Sequence, residues 1–423
     1  MSVATTTAGK SRVISKSRAI GMGVTFIIIG MLIFAFFLPA TTTSQYTEFG
    51  LNAFSKGDVI EVPPLVLPSQ IVIIAAGLLC LGVGAYQLTR GFGSGVEVVL
   101  GLVVLTFIIA FLTWAARDKS FNLTGILRTT LLLATPIALG AFSGVLSERA
   151  GVVNIAIEGM MLSSAFSATV VGSITGSLWA GLIGGILVAV LMAALHAVLS
   201  IKYMVDQIIS GVVINILAIG LTSYLASRFL ETYQNLNNPG VFQPIPIPIL
   251  SRIPVIGPVL FENNIIIYLM FIIMFAIHFM LFYTRWGLRT RAVGEHPKAA
   301  DTLGINVFKM RYINVLLSGA VAGVGGAYFT IGSVGRFDEV MTSGKGFIGL
   351  AAMIFGKWTP FGAFGASLIF GFMDSLQTKL QILNVPIPSE FLLMAPYLAT
   401  IIAVAGVIGK AIPPAADGQP YEK

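Results

Sequence analysis

The sequence predicts an all-α fold: a polytopic membrane helix bundle of about 10–12 transmembrane helices with an inverted repeat. Three observations carry that prediction. Of 423 residues, 56% are hydrophobic and 10% are charged, whereas a soluble chain carries roughly a quarter charged residues. The apolar residues fall in runs of about 20, the length that crosses a hydrocarbon core of roughly 30 Å at 1.5 Å per residue. Basic residues dominate the net charge of +7 and gather between the runs, where in a membrane chain they mark cytoplasmic segments and not a nucleic-acid surface.

The elements follow in chain order. Residues 1–18 are polar and hold Lys10, Arg12, Lys16 and Arg18 with no acidic residue, which predicts a cytoplasmic N-terminal tail. The run at 19–38 is longer than a signal-peptide core and lacks a small-x-small exit, so it reads as a retained helix. Further runs lie at 69–88, 96–116, 128–146, 152–172, 178–199, 208–229, 265–283, 312–331, 347–358, 361–378 and 391–409. Alternating sides from a cytoplasmic start places 284–311 inside. That segment carries Arg285, Arg289, Arg291, Lys298, Lys309 and Arg311 against Glu295 and Asp301, so helix count and charge agree. The tail at 411–423 falls on the same side. Residues 39–68 and 230–264 lie outside; the second holds Pro244, Pro246, Pro248, Pro254 and Pro258 and reads as a rigid extended loop, not a helix. The organisation is thus an N-terminal helical region at 19–120 with an outer Pro-rich loop, and a core at 121–410.

Forty-six glycines in apolar runs lower helix propensity and are retained for close packing. Pairs four apart occur at Gly172 and Gly176, Gly181 and Gly185, and Gly319 and Gly323. They indicate a compact bundle, not an activity.

Polar residues at depth are costly and mark sites of interest. Between two apolar runs stand Glu148, Arg149, Asn154 and Glu158. On a continuous helix Asn154 and Glu158, four apart, would share a face. Glu158 is then either a packing partner between helices or a lining residue of a transport path. A second interruption runs from Gly344-Lys345-Gly346 to Gly356-Lys357-Trp358-Thr359-Pro360. Each region shows a short run, a break and a Gly-rich run, and the two enter the membrane from opposite sides, the pattern of transporters with inverted repeats and broken helices. Candidate cavity residues are Asn154, Glu158, Asn215 and Asp374, with the aromatic faces of Phe166 and Trp358 available to stack on a base or sugar.

No phosphate-binding loop is present: Ser343-Gly344-Lys345-Gly346 and Ile408-Gly409-Lys410-Ala411 both fail the pattern. His196, His278 and His296 lack metal spacing, no catalytic group is recognisable, and the single cysteine, Cys80, allows neither an internal disulfide nor a thiol cluster. The chain is expected to hold no catalytic residue, metal or cofactor of its own.

The stretch Arg291 to Val307, with Ala299, Ala300 and Gly304 in an Ala-Ala-x-x-x-Gly core, resembles the coupling loop of permease subunits of bacterial ABC importers in the sugar and nucleoside branch. It departs from the broader motif at Lys298, where the family carries Glu, which leaves the loop's role intact but not any Glu-specific contact. Leu146 to Met161, with Ser147, Glu148, Arg149, Gly151 and Gly159, is similar to the signature of the nucleoside-type permeases. Gly319 to Tyr328 and Gly344 to Asp374 also fit, so the resemblance covers about 128–409. It implies a short helix docking in a groove of an ATPase subunit through Glu295, Pro297, Ala299, Ala300 and Gly304. It further implies ATP and Mg bound in that partner, a second permease that is a different chain, an extracytoplasmic substrate-binding protein, and a place in the cytoplasmic membrane of a bacterium. The expected cargo is a nucleoside, purine first, or a related simple sugar. Pro297 followed by good helix formers suits a short docking helix. The rival is an ion-gradient-driven secondary transporter, which would use buried carboxylates as ion sites. A membrane enzyme would need a grouped nucleophile, base or metal site.

Overall fold

The computed structural model describes residues 16–52, 62–383 and 411–423, with 385, 387, 388, 390, 391 and 394 between the last two. Most of the basic N-terminal tail, and nearly all of the run expected at 391–409, lie outside the described residues. The chain divides into two compact units, Met1–Thr124 with Leu380–Ile387, and Gly125–Lys379 with Pro388–Lys423.

The first unit holds α1 (Lys16–Leu32), β1 (Tyr46–Gly50), β2 (Leu65–Pro68), α2 (Ser69–Thr89), α3 (Val96–Ala115) and β3 (Ser120–Asn122). Glycines on one helix receive side chains of the other: a Cβ on Gly30 would lie 2.8 Å from Leu81, and one on Gly77 2.7 Å from the Phe34 ring. Phe26, Ile33, Ile73, Cys80 and Val103 are buried between the three helices. The sequence reading has 39–68 as an outer loop. Two strands within it instead join β3 in a small sheet of order β2-β1-β3, with β1 antiparallel to β2 and parallel to β3. Thr47 fixes the sheet to the helix ends through hydroxyl bonds to Ser69 Oγ, 2.8 Å, and the Thr113 carbonyl, 2.9 Å.

The second unit contains, in order, α4 (Leu123–Glu148), α5 (Ile157–Thr175), α6 (Leu178–Ala197), α7 (Gln207–Leu225), β4 (Ile245–Pro246), α8 (Ile256–Leu260), β5 (Glu262–Asn263), α9 (Ile265–Tyr283), α10 (Arg285–Glu295), α11 (Pro297–Thr302), α12 (Val307–Phe329), α13 (Lys345–Phe355) and α14 (Pro360–Ile382). Wider π turns extend α6 to Lys202, α7 to Leu230 and α12 to Val334. The segment read as a purely extended loop contains the single-turn helix α8; Pro258 sits in its first turn, where no intrahelical donor is lost.

Among the described residues nine helices are long and apolar enough to cross a membrane. The protein is a multi-pass helical membrane protein. The run expected at 347–358 becomes α13, whose 11 residues reach about 16 Å, roughly half a hydrocarbon core.

The glycine pairs explain how α5, α6 and α12 meet. Gly181 places an added Cβ 3.2 Å from Gly172 Cα, Gly319 one 3.0 Å from the Ala189 carbonyl, and Gly323 one 2.7 Å from Ile186 Cα. Gly176 is different: at φ 65 it ends α5. The tightest crossing is Gly326 of α12 on α5, where a Cβ would stand 2.1 Å from the Met161 carbonyl oxygen. Backbone cannot yield as a side-chain tip can, so Gly326→Ala is expected to destabilise the fold by about 1–3 kcal/mol. Gly365→Ala, where nothing lies within 4 Å, is expected to be neutral. Thermal unfolding in detergent checks both, and an unshifted Gly326→Ala midpoint contradicts the packing described.

Candidate functional site

α4 ends at Glu148 and α5 begins at Ile157. Gly151, at φ 81, turns the chain between them in a conformation that other residues rarely adopt. Asn154 therefore lies in a non-helical stretch and does not share a helix face with Glu158, as a continuous helix would have required. Its Oδ1 accepts from Ala156 N, 3.1 Å, and its Nδ2 donates to Ser318 Oγ of α12, 2.9 Å.

An interrupted helix inside an apolar bundle leaves backbone groups that must find partners within the protein. Side chains of α6 and α7 supply them. Gln207 Oε1 accepts from Val153 N at 2.7 Å, and His196 Nε2 donates to the Val153 carbonyl at 2.9 Å, leaving Nδ1 to accept from Ser210 Oγ at 3.1 Å. Asn215 serves both sides of the break: Oδ1 accepts from Gly159 N, 2.8 Å, and Nδ2 donates to the Ile155 carbonyl, 2.9 Å.

Glu158 is buried and fully engaged. Oε1 accepts from Thr342 Oγ1, 2.6 Å, and Gly344 N, 2.8 Å, while Oε2 accepts from Gly346 N, 2.7 Å. A carboxylate on α5 thus caps the start of α13, where free N–H groups and the helix dipole favour negative charge. The other end of α13 meets the first break. Lys357 and Trp358 both have positive φ, 54 and 53, and divide α13 from α14. Trp358 Nε1 donates to Glu148 Oε2 at 2.6 Å, and Arg149 donates to the Trp358 carbonyl, 2.9 Å, and the Lys357 carbonyl, 3.3 Å. The two interrupted regions are therefore pinned together at both ends of α13.

Asn154, Glu158, Asn215 and Trp358, and the signature residues Ser147, Glu148, Arg149, Gly151 and Gly159, gather at this junction. Asp374 sits apart on α14, in an ion pair with Lys345 at the start of α13. Phe166 is elsewhere, edge-to-face on Phe337 at 5.3 Å. Phe337 also lines a recess of about 680 Å³ with Glu231, Asn235, Asn238 and Glu339.

The third component is the pair α10 and α11. Thr284 caps α10 by accepting from Gly287 N, 3.1 Å. Gly294, near its end, rests on the first break: a Cβ there would lie 2.3 Å from the Arg149 carbonyl oxygen. Pro297 opens α11 at its first position. Ala300 is buried with Val293, Val307 and Met310, whereas Lys298, Ala299, Thr302 and Gly304 are exposed. Gly304, at φ 80, turns the chain to Asn306, which caps α12 by accepting from Lys309 N, 2.9 Å. Sequence reasoning missed Leu303, which is 82% exposed; a leucine in a charged loop was the available signal. It also missed His196, Gln207 and Ser318, single polar residues whose role shows only once the break is located.

The C-terminal residues 411–423 lie against this junction. Glu295 Oε2 accepts from Ala415 N, 3.2 Å, so that carboxylate serves the chain itself. The Asp417 carboxyl lies beside that of Glu148, and burial pushes it up to about 6, offset in part by the Gly418 N–H and the Arg311 charge. Burial also lowers the Arg149 guanidinium from its ordinary value, opposed by Glu295.

Glu158→Gln replaces one acceptor oxygen with a donor facing an N–H or O–H group. It is expected to cost about 1–3 kcal/mol through the unsatisfied donor, with Thr342→Val giving a smaller loss. Thermal midpoints of the purified variants check this, and an unchanged Glu158→Gln midpoint contradicts the capping role.

Residues 126–408 match the family model described as branched-chain amino acid transport system, permease component. The guanosine ABC transporter permease protein NupQ of Bacillus subtilis is 42% identical over 307 residues, covering 70% of this chain and 96% of that one. The nucleoside ABC transporter permease protein NupC of Lactococcus lactis is 43% identical over 308 residues, with the same 70% and 96% covered. A putative glucose ABC transporter permease of Haloferax volcanii is 35% identical, over 62% of this chain and 79% of its own. No solved structure matches. A broken-helix bundle with a docking-sized helix pair and a match across its second unit leads to one conclusion: the chain belongs to the ABC transporter permease family of the branched-chain amino acid transport type, and is a membrane transport component and not an enzyme.

Proposed function

We propose that this chain is the permease subunit of an ATP-driven importer that moves nucleosides, purine nucleosides first, across a bacterial cytoplasmic membrane. The observation that carries the reading is α11. It is a short helix anchored by buried Ala300, with Ala299, Leu303 and Gly304 turned outward, Leu303 at 82% exposure. A rigid knob with one bare apolar side chain suits a groove in a second protein, and the chain's motion would follow that groove. In this reading ATP and Mg are bound by an ATPase partner at α10–α11, and N- and C-termini face the same cytoplasmic compartment. A binding protein delivers substrate from outside, and a second, different permease chain completes the path. Two bacterial relatives that are guanosine and nucleoside permeases support the substrate class. A simple sugar is the alternative cargo, supported by the glucose permease relative.

An ion-gradient-driven carrier would need carboxylates free to take an ion. Glu158 has three donors and Glu148 accepts from the Trp358 indole N–H, which disfavours that mechanism.

The test is uptake of labelled purine and pyrimidine nucleosides and ribose into proteoliposomes holding the complete transporter. Leu303→Asp is the better probe of α11 than Gly304→Arg, because Gly304 is at φ 80 and any side chain there strains the backbone. ATP-dependent nucleoside uptake that falls at least tenfold in Leu303→Asp, with assembly of the chain unchanged, is expected. Uptake driven by an ion gradient without ATP would overturn the reading, and uptake of ribose alone would move the cargo to sugars.

A further inference from the structure

A two-helix excursion is ordinarily tied to its bundle only where the chain leaves and returns, which for α10 and α11 means α9 and α12. Here residues 411–423 add further ties, to α4, α10, α11 and α12. Ala416 N donates to the Gly294 carbonyl at 2.9 Å, at the end of α10. Arg311 Nη1 on α12 donates to the Gln419 carbonyl at 2.9 Å. The Tyr421 ring packs 5.4 Å from that of Phe308 and is buried with Val293, Ala300, Val307 and Met310. Lys423 Nζ stands 3.8 Å from Asp301 Oδ1 of α11. The Asp417 carboxyl lies beside that of Glu148 at the end of α4.

These ties converge on Gly151 of the first break. A Cβ there would lie 3.1 Å from the Ala416 carbonyl oxygen, 3.1 Å from Arg311 Nη2 and 3.5 Å from Gly294 Cα. Arg311 is 1% exposed, and among the described residues its Nε and Nη2 have no hydrogen-bond partner, as is also true of Asp417 Oδ1. A guanidinium buried this deeply needs a compensating charge, and Asp417 provides one from the tail. The tail thus contributes part of the electrostatic balance of the junction as well as its packing.

We propose that residues 411–423 are a transmission strap, with Asp417 and Tyr421 as its positioning residues, through which displacement of α10 and α11 is delivered to the α4–α5 break and to the start of α12. The proposal rests on α11 being the ATPase contact. Without the strap, α11 could move on its flanking turns while the break at Gly151 stayed behind. With it, α10, α11, α12 and the break shift together, because packed and hydrogen-bonded elements pass strain on.

The test uses the complete transporter in proteoliposomes and reads substrate molecules imported per ATP hydrolysed. In Asp417→Ala with Tyr421→Ala, import is expected to fall about tenfold while hydrolysis stays within twofold. A fall of both in proportion, or no change in either, overturns the strap, since a merely structural tail leaves the ratio alone. Should that double variant not assemble, Asp301→Cys with Lys423→Cys decides. Cys80, the single native thiol of this chain, is buried, so within the chain a short bis-maleimide bridges only the introduced pair. Import retained after bridging supports a strap that stays attached; import abolished while hydrolysis continues identifies a latch that must release and overturns it. Leu303→Asp, run alongside, separates the two readings. Lost import there with normal coupling in the tail variants overturns the strap alone, whereas unchanged import there overturns the ATPase contact and the strap with it.

Discussion

A backbone that leaves helical geometry inside an apolar bundle exposes donors and acceptors that lipid cannot satisfy, and the arrangement of the second unit follows from meeting that demand. Between Glu148 and Ile157 the partners come from four helices: Ser147 of α4, His196 of α6, Gln207 and Asn215 of α7, and Ser318 of α12. These polar side chains sit on otherwise apolar helices at the depth of the break, and each would be costly there without it. Position along each helix is thereby fixed: sliding α7 by one turn would part Asn215 from Ile155 and Gly159 together.

The same demand explains why the interruptions meet. A helix that starts inside the protein needs acceptors for its first N–H groups, and α13 takes them from Glu158 of α5. A chain that passes through two consecutive left-handed residues needs donors for its carbonyls, and Lys357 and Trp358 take them from Arg149. One break therefore supplies what the other lacks. Charge placement is economical in the same way, since Glu148, Glu158 and Arg149 each act on backbone or on an indole N–H. None is left free to meet an ion, so charged residues at depth here hold a shape.

Much of this was legible in the sequence, and what was hidden has a physical cause. Nine of the apolar runs correspond to the long helices because a 30 Å apolar slab leaves few other options. The interruptions were visible at Gly151 and at Gly356 to Pro360, since glycine and charge in an apolar run have no other easy explanation. The helical periodicity that would join Asn154 to Glu158 failed because Gly151 adopts φ 81 and Asn154 folds back on Ala156. The sheet from β1, β2 and β3 was invisible because strands of three to five residues show no period, and the parallel pair joins β1 to β3, segments about 70 residues apart. Leu303 stayed hidden for the opposite reason: exposure of one leucine is a fact of the surface, which composition does not encode.

The two faces of α11 carry different demands, and their difference is informative. Ala300 must be small because it packs under Tyr421 and Met310, and a larger side chain would lift the helix from the bundle. Ala299 and Gly304 meet no such limit in this chain, since both are exposed and a Cβ on Gly304 would touch nothing within 4 Å. Small residues on an exposed face next to a bare leucine leave the surface shallow around one projection, the shape that lets a second surface approach closely while a single side chain sets the register. Stiffness is the complementary requirement. A projection that bends on its own turns would absorb displacement, whereas Gly294 against the Arg149 carbonyl, Pro297 at the helix start and Asn306 at the next leave α11 little freedom except with the elements around Gly151. The glycines at 151 and 294 permit that contact by bringing backbone onto backbone, where no rotamer change can take up the motion.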